Sequence, residues 1–453
     1  MSETTVIVGA GPAGVRAAET LVEAGLSPIL IDEAARVGGQ IYRQPPEGAE
    51  RPAEKLYGSE AEKARSIHTT IGQIRAVVDY RPNTLVWNCF QGRLNTLSDG
   101  KQDSVAFDRL IIATGAFDRI VPFPGWTLPG VFTLGAAQIA LKSQGLAIGR
   151  RTVLVGAGPL LPLVASQYLE AGAELAAVLD VTPFHTKISA LPRMMAMPDM
   201  VRRGLSYLRV LRRSGVPMQY GVRSIAAIGD HRVVGFAWED ARGRRHEMAC
   251  DAVGASFGLK PEMQLADLAG CNFRFDDFTR QWLPVMREGG RGSVPGVYLA
   301  GDCSAIGGAD VAELTGRRAA LAVLEDIGRP APARQRNIEA ELGRHARFRA
   351  GIEAAYPFPR HLVADIDDVL MICRCEGVSA GELRANQVKT GAIEMNRLKA
   401  FTRVGMGRCQ GRVCGAVAAE ILAEKTGCSM PDVGRLRGQH PIKPIPLVVG
   451  KQG

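Results

Sequence analysis

Residues 5–14, TVIVGAGPAG, are the stretch on which the fold of this chain depends. An apolar, β-branched run leads into Gly9-x-Gly11-x-x-Gly14, and apolar residues at helical spacing follow it. Gly9 allows a tight turn, Gly11 lets the backbone approach a pyrophosphate, and Gly14 lets the helix lie close to the strand. The helix N-terminus offers unpaired N–H groups and a partial positive charge to that phosphate. The stretch therefore predicts a strand–turn–helix unit that binds a dinucleotide.

An acidic residue closes the next predicted strand, SPILIDE, at Asp32, eighteen residues after Gly14. A carboxylate at this distance can accept hydrogen bonds from the diol of a ribose. A glycine triplet alone also occurs in purely structural turns, so it is the combination with strand, helix and acid that favours a nucleotide site. The candidate cofactor-binding residues of this unit are Gly9, Gly11, Pro12, Ala13, Gly14, Asp32 and Glu33.

Three further segments favour FAD over a nicotinamide nucleotide in this site. ARVGGQIYRQPP (35–46) has a double glycine that would let the backbone pass close to a cofactor, and LIIATGA (110–116) predicts a strand that ends at Thr114-Gly115. GVYLAGDCSAIGG (296–308) predicts a strand that leads to Gly301-Asp302 and then a long helix. Its carboxylate suits a ribityl hydroxyl, and the start of the helix can face the flavin ring. These segments add the candidates Gly39, Gln40, Thr114, Gly115, Gly301 and Asp302.

A second unit of the same kind lies inside the first, in GRRTVLVGAGPLLPLVASQYLEAGAELAAVLD (149–180). It has a strand, Gly156-x-Gly158, a helix and an acid at Asp180, but Leu161 stands at the third glycine position. Leucine there would push the helix away from the strand, so we expect nucleotide binding to be impaired. We expect the fold itself to survive. NAD(P) is therefore not expected here. If a nucleotide does bind, Asp180 favours NAD or an adenine nucleotide over a 2′-phosphate.

Four of the nine cysteines form two short motifs, Cys373-x-Cys375 and Cys409-x4-Cys414. The first motif must lie in a tight loop, because residues two apart in a strand lie too far apart to enclose one ion. We expect Cys409 in a loop, Cys414 at the start of a helix, and two short helices between the motifs.

Four thiolates on a small scaffold match the ligands of a 2Fe-2S cluster. A zinc ribbon would usually have two Cys-x-x-Cys motifs instead, and zinc and free thiols stay as alternatives. A disulfide framework is the weakest interpretation, because cytoplasmic thiols stay reduced.

The order of these motifs predicts an α/β protein with two dinucleotide-binding, Rossmann-like domains of the glutathione-reductase type, one inserted in the other. The FAD-binding domain takes residues 1–118 and 268–330, and the second dinucleotide-binding-like domain takes 119–267. A helical connector is expected at 331–365, a small helical 2Fe-2S domain at 366–430, and an extended tail at 431–453.

The net charge of +9 favours anionic partners such as nucleotides or an acidic protein. Nucleic acid is not expected, since aromatic residues make up only 6% and do not alternate with a basic stripe. There is no uninterrupted apolar run of about 18 residues, so no membrane span is predicted. We expect a cytoplasmic protein. Any association with the inner membrane would be peripheral and would come through its complex.

With the flavin motifs and Cys-x-Cys-x33-Cys-x4-Cys in place, the chain resembles the larger flavoprotein (α-type) component of bacterial opine oxidase, hydrogen cyanide synthase and hydroxyproline (proline) dehydrogenase complexes. Nearly the whole chain takes part, through GAGPAG, GGQIYR, ATGAFDRIVPFPGWTLPGVFT, AGDCSAIGGADVA, CRCE and GMGRCQGRVCG. The last third resembles the bacterioferritin-associated-ferredoxin type of 2Fe-2S domain, whose ligand positions coincide with Cys373, Cys375, Cys409 and Cys414.

This resemblance implies a partner β subunit that contains FAD and oxidises the substrate, and in some relatives a small ferredoxin-like γ subunit. It implies FMN at the interface of the subunits, and ATP as the alternative to FAD at Gly9–Asp32.

We therefore expect an electron-transfer subunit of a multi-subunit amine or imino-acid dehydrogenase that acts on opines, hydroxyproline or glycine. A flavin accepts two electrons and a 2Fe-2S centre carries one, so one chain with both can pass an electron pair on singly. No catalytic base is evident, and the catalytic residues stay unknown. The alternatives are a self-contained NAD(P)H-dependent FAD/2Fe-2S reductase and a non-catalytic scaffold subunit with a structural nucleotide.

Overall fold

The computed structural model describes residues 3–446. Up to residue 118 the strands are β1 (Thr5–Val8), β2 (Ile29–Ile31), β3 (Asp79–Arg81), β4 (Thr84–Phe90), β5 (Arg93–Ser98), β6 (Lys101–Ala106), β7 (Arg109–Ile112) and β8 (Ala116–Asp118). The helices of this segment are α1 (Pro12–Glu23), α2 (Ala53–Tyr57) and α3 (Ala61–Ile74).

The next segment contains β9 (Val131–Thr133), β10 (Arg151–Ala157), β11 (Glu174–Asp180), β12 (Met218–Tyr220), β13 (Ile225–Ile228), β14 (Gly235–Glu239), β15 (Arg245–Ala249), β16 (Ala252–Phe257) and β17 (Leu259–Pro261). Its helices are α4 (Leu134–Ile139), α5 (Leu160–Glu170), α6 (Phe184–Met194), α7 (Pro198–Ser214) and α8 (Gln264–Leu268).

The remaining strands are β18 (Phe273–Asp276), β19 (Gln281–Pro284), β20 (Val297–Leu299), β21 (Met371–Cys373) and β22 (Val378–Ser379). The remaining helices are α9 (Ala309–Asp326), α10 (Pro332–Ala355), α11 (Arg360–Ala364), α12 (Ala380–Thr390), α13 (Met395–Thr402), α14 (Gly415–Thr426) and α15 (Met430–Val433).

Two parallel sheets form the centres of the two nucleotide-type units. The first has the strand order β20-β7-β1-β2-β3, and the second has the order β12-β11-β10-β16-β9. Each unit also has a smaller antiparallel sheet, β4-β5-β6 in the first and β13-β14-β15 in the second. Strands β1 and β10 are buried along almost their whole length, as strands covered by helices on both faces are expected to be. The predicted α/β class with two Rossmann-like units is confirmed.

The insertion of one unit into the other appears as a two-stranded antiparallel ribbon, in which β8 pairs with β17. The chain leaves the first unit along β8 and returns along β17. Of the domain bounds given by the sequence, 119 directly follows β8, whereas 267 lies in α8, just after β17, and we propose to keep both.

The C-terminal part is not a separate module, because its core continues into the second unit. One buried cluster includes Val153 and Phe236 from the second unit together with Ile372, Met395 and Val417. The indole N–H of Trp126 also donates to the carbonyl of Met371 at 2.8 Å. The small domain is therefore held in one orientation against the rest of the chain.

The connector and the tail differ from the sequence-based expectation in detail. The connector is one long helix, α10, which packs on α6 and is followed by the short α11. The tail is not extended from residue 431, since 431–433 complete α15, where Ser429 caps the helix. Residues 434–446 have no helix or strand, and 447–453 lie outside the described residues.

Candidate functional site

The three glycines after β1 form a cradle, and at Gly9 and Gly14 only glycine is permitted. A Cβ on Gly14 would lie 1.7 Å from the carbonyl oxygen of Gly9, and a Cβ on Gly9 would lie 2.3 Å from that of Ala113. Gly11 caps the N-terminus of α1, and Pro12 occupies the first helical turn, where its missing N–H costs nothing. The turn thus leaves the N-terminus of α1 open to a phosphate.

The other glycine-rich segments close on the same cradle. Gly39 has a φ of +61°, and a Cβ there would lie 3.0 Å from the Cα of Gly11. Gln40 follows it and accepts a hydrogen bond from Arg43 at 2.9 Å. On the other side, a Cβ on Gly301 would lie 2.9 Å from the Cβ of Ala13. The candidate residues from four separate segments therefore converge at the carboxyl ends of β1, β2, β7 and β20, where ligands of such sheets bind.

The acid at the end of β2 is half-buried and held by backbone groups. Asp32 accepts the N–H of Ala10 at 2.5 Å and that of Ala34 at 2.6 Å. Burial raises the pKa of the Asp32 carboxyl, and these two N–H donors oppose the rise. The neighbouring Glu33 forms an ion pair with Lys443 of the tail, a contact that no motif in the sequence indicates.

Asp302 occupies the corresponding position after β20. Its Oδ1 accepts the N–H groups of Gly307 at 2.8 Å and Gly308 at 3.0 Å, which fixes the loop in front of α9. Burial raises the pKa of this carboxyl as well, while the two N–H donors and the nearby Arg349 oppose the rise. This arrangement leaves Oδ2 of Asp302 without a protein donor among the hydrogen bonds of the described residues.

The last candidates, Thr114 and Gly115, follow β7 and are tied to the chain just after β17. The hydroxyl of Thr114 donates to the carbonyl of Glu262 at 2.7 Å, and the N–H of Glu262 donates to the carbonyl of Gly115 at 2.9 Å. A glycine cradle, an open helix start and two half-buried carboxylates fit a flavin adenine dinucleotide, and we propose the candidate residues of the first unit as its ligands. That cofactor supplies two-electron redox chemistry when bound.

The second unit has the expected strand, turn and helix but a different interior. Its helix α5 begins at Leu160, and the side chain of Leu161 is buried under the sheet with Leu154 and Val178. The acid at the end of β11, Asp180, is only 1% exposed and forms an ion pair with Lys187 at 2.9 Å. The ribose-binding position is therefore satisfied by a side chain of the same unit.

The two cysteine motifs meet in the C-terminal domain. Cys373 ends β21 and Cys375 lies in the turn after it, while Cys414 caps α14 and Cys409 lies in the preceding loop. The two helices expected between the motifs are α12 and α13. Cys373 and Cys414 are buried, Cys409 is half-buried, and Cys375 is exposed, so one side of the group faces the protein and the other faces solvent.

The thiols interact with one another as a chain. The pKa of Cys373 is lowered to about 6 and that of Cys409 to about 5, first of all because each accepts a hydrogen bond from the thiol of Cys414. The pKa of Cys414 is raised in turn by the same two neighbours. Burial raises the pKa of Cys375, which also contacts Cys409. Metal binding releases the protons that remain on such sulfurs, because the thiolate is the ligand.

Backbone N–H groups and glycines complete the fit to a cluster. The backbone N–H groups of Gly405 and Glu376 help to lower the pKa of Cys373, and those of Gly411 and Val413 help to lower the pKa of Cys409. A Cβ on Gly407 would lie 2.2 Å from the Cβ of Cys375, so only glycine lets this loop approach.

No group of three or more His, Cys, Asp or Glu side chains in residues 3–446 is arranged as a single metal ion would require. A 2Fe-2S cluster takes two thiolates per iron, and the pairwise contacts of the four cysteines suit it. We propose all four as its ligands. The cluster would supply one-electron chemistry.

A cleft of about 1360 Å³ lies between α5, α6, α7 and the connector helix α10. Its inner end reaches Gly307 and Gly308, the loop that caps Asp302. The α6–α7 hairpin at its mouth carries large exposed apolar side chains: Phe184, Ile188, Leu191, Met195 and Leu205. The sequence had no signal for this cleft, because it arises from packing of distant helices. Among the described residues, no helix is long and apolar enough to cross a membrane.

Comparison with known proteins agrees with both halves of this description. Residues 3–322 match the family described as pyridine nucleotide-disulphide oxidoreductase, and residues 371–424 match the BFD-like [2Fe-2S] binding domain. These matches imply FAD in the first part and an iron–sulfur cluster in the second.

Similar proteins cover nearly the entire chain. The A component of opine oxidase from Rhizobium meliloti is 37% identical over 98% of this chain and 86% of its own length. The HcnB component of hydrogen cyanide synthase from Pseudomonas aeruginosa is 34% identical over 99% and 98%. The structure of L-proline dehydrogenase from P. horikoshii superposes with a TM-score of 0.71 at 19% identity, covering 98% of this chain and 78% of that one, which shows a shared fold. The chain therefore belongs to the pyridine nucleotide-disulphide oxidoreductase family and is a flavin- and [2Fe-2S]-containing oxidoreductase subunit similar to the opine oxidase A component and to HcnB.

Proposed function

We propose that this chain is the electron-transfer subunit of a multi-subunit dehydrogenase that oxidises the C–N bond of an amine or imino acid such as an opine, hydroxyproline or glycine. The observation that carries the proposal is a hydrogen-bonded link between the two candidate redox sites within one chain. Glu262 bonds to the flavin motif at Thr114 and to Arg412 in the cysteine loop. A two-electron and a one-electron centre so joined suit a carrier of electrons.

The cleft supports a partner subunit that oxidises the substrate. Exposed apolar side chains in one patch are typical of protein–protein interfaces. The patch on α6 and α7 lies at the mouth of a cleft that leads to the Asp302 loop of the flavin site. We propose that an FAD-containing β subunit docks there, with FMN at the interface. The exposed Cys375 side of the cluster is the proposed exit toward a small ferredoxin-like γ subunit.

The NAD(P)H-dependent alternative is less well supported. It would need a nucleotide at Gly156 and Gly158, yet Lys187 already holds Asp180. A disulfide-reducing function would need two thiols together at the flavin. In the described part of the chain, Cys303 is the cysteine next to Asp302, and it is buried with its thiol donating to the carbonyl of Ile112 at 3.1 Å.

The test is to co-express the chain with its candidate β subunit, purify the complex, and measure its cofactors and turnover. Flavin, iron and nucleotide content distinguish FAD from ATP in the chain itself. We expect amine or imino-acid oxidation by the complex and none by the isolated chain; full activity of the isolated chain would overturn the proposal.

The docking surface is tested with Ile188→Asp and Leu205→Asp, which should abolish co-purification of the β subunit. Val234→Asp is the matched control, because Val234 is equally exposed, at 56%, but does not line the cleft.

A further inference from the structure

Glu262 links the flavin motif to the cysteine loop through three hydrogen bonds. Its backbone bonds to Thr114 and Gly115 at 2.7 and 2.9 Å, and its carboxylate accepts the Nε–H of Arg412 at 2.5 Å. Both side chains of this ion pair are largely buried, with 13% of Glu262 and 14% of Arg412 exposed. The two side chains share one charge-assisted hydrogen bond, which is shorter and stronger than a bond between neutral groups.

Arg412 is itself fixed in the loop that carries the cluster ligands. Its N–H donates to the carbonyl of Cys409 at 3.0 Å, and its Nη1 donates to the carbonyl of Ile442 at 2.7 Å. Movement of Glu262 is therefore passed directly to the backbone between Cys409 and Cys414.

Two further ion pairs between the C-terminal part of the chain and the rest of it lack that double contact. Arg280 pairs with Glu420 on α14 at 2.7 Å, and Arg435 pairs with Asp267 at 2.6 Å. Both fasten the two parts together along the same seam. Neither of them bonds to Thr114 or Gly115, and neither has a partner between the two cysteines of the second motif.

The space around Glu262 and Arg412 is small and mostly closed. A cavity of about 70 Å³ is lined by Lys260, Glu262, Gln264, Gln281 and Arg412. In such surroundings a charge is screened less than in water, so the pair can influence a nearby redox centre.

We propose that Glu262 is a positioning residue that, through Arg412, sets both the distance from flavin to cluster and the reduction potential of the cluster. The inference rests on the proposed electron-transfer function. In the step concerned, one electron leaves the reduced flavin, which is oxidised, and enters the cluster, which is reduced. No bond is formed or broken in the chain and no proton has to cross the seam.

The test uses the full-length chain with its cofactors and follows two readouts besides turnover. The first is the midpoint potential of the cluster in a redox titration followed by electron paramagnetic resonance. The second is the rate at which the cluster is reduced after flash photoreduction of the flavin. Iron and flavin content are measured for each variant.

Opposite shifts of potential are expected from the two partners. Glu262→Gln keeps the shape but leaves the Arg412 cation unpaired, which stabilises the added electron and shifts the potential upward. Arg412→Gln leaves the Glu262 carboxylate unpaired and shifts the potential of the cluster downward. In the double variant the potential should return toward the wild-type value. Shifts of the same sign in both single variants would overturn the proposal.

The rate separates positioning from a general loosening of the seam. Glu262→Gln should slow reduction of the cluster, whereas Glu420→Gln, which breaks the Arg280 pair in the same seam, should leave the rate at the wild-type value. Equal slowing in both would overturn the proposal. If Glu262→Gln loses iron, Arg412→Lys is measured in its place. Lysine keeps the positive charge but not the forked donors of the guanidinium group, so we expect slower reduction of the cluster at an unshifted potential. A wild-type rate in Arg412→Lys would overturn the proposal. Wild-type protein without flavin or cluster would instead overturn the proposed function.

Discussion

Lys187 lies 2.9 Å from the buried carboxylate of Asp180, between the rings of Tyr220 and Tyr356. Its ammonium is 5.0 Å from the centre of the first ring and 4.7 Å from that of the second. Cation–π contacts and the ion pair thus hold it in place together. Tyr356 follows the connector helix, so the connector itself closes the position where a ribose would bind in a working nucleotide site.

We predict that NADH and NADPH do not reduce the flavin of this chain. NADH would need the ribose-binding acid Asp180, which Lys187 holds, and the 2′-phosphate of NADPH is disfavoured by the same carboxylate. In anaerobic stopped-flow mixing the flavin absorbance should stay at the oxidised level with either nucleotide, while dithionite should bleach it. Rapid bleaching by NADH would show that the second unit does bind a nicotinamide nucleotide.

We predict that Lys187→Met destabilises the protein, and more so as the pH rises. Removing one partner of a buried ion pair typically costs about 3–5 kcal/mol. Burial already raises the pKa of Asp180, and Lys187 opposes the rise, so the variant raises this pKa further. A carboxyl group whose pKa is raised in the folded state costs no stability below its unfolded pKa of about 3.9, where it is protonated in both states. The free energy of unfolding falls as the pH rises from there, and the loss is complete above the folded pKa.

Denaturant unfolding between acidic and neutral pH measures this effect. The free energy of unfolding of Lys187→Met should fall with rising pH relative to the wild type. The double variant with Asp180→Asn should remove most of that pH dependence. A loss of equal size at every pH would mean that packing of Lys187, not its charge, is what matters.

We predict that Cys373→Ser and Cys409→Ser remove the cluster and leave the flavin in place. Thiolates bind iron and hydroxyls bind it poorly, whereas the flavin cradle lies on other elements of the chain. Iron analysis and flavin absorbance of the purified variants measure both cofactors. Cys428→Ser is the control and should keep both; loss of flavin in proportion to iron would show that the two sites depend on one another for folding.

We predict that Gly14→Ala abolishes nucleotide binding, while Gly72→Ala is harmless. A Cβ on Gly14 would overlap the carbonyl of Gly9 at 1.7 Å, so the turn must shift, at a cost of about 1–3 kcal/mol or more. A Cβ on Gly72, in α3, has nothing within 4 Å and should stabilise the helix by roughly 0.5–1 kcal/mol. Flavin content and thermal unfolding measure the two outcomes; retained flavin in Gly14→Ala would contradict the cradle.

The local units were predictable because their causes are local. The strand, Gly9–Gly14 turn and helix follow from backbone sterics within a few residues, and so does the second copy at Gly156. The same holds for Cys414 at the start of α14 and for the helices between the cysteine motifs. The prediction that the extended tail starts at residue 431 was wrong for residues 431–433. They belong to the short capped helix α15, which gives only a weak periodic signal in the sequence.

Sequence alone thus determined the fold class, the order of the two nucleotide-type units and the candidate ligands, because glycine turns, strand ends and cysteine spacing act over short distances. Only the tertiary structure decided that Lys187 and Tyr356 close the second site, that Lys443 reaches Glu33, and that Glu262 joins the flavin motif to Arg412. The last two contacts join residues 410 and 150 positions apart. Their partners are brought together by packing of buried surfaces, and no pattern of neighbouring residues records that.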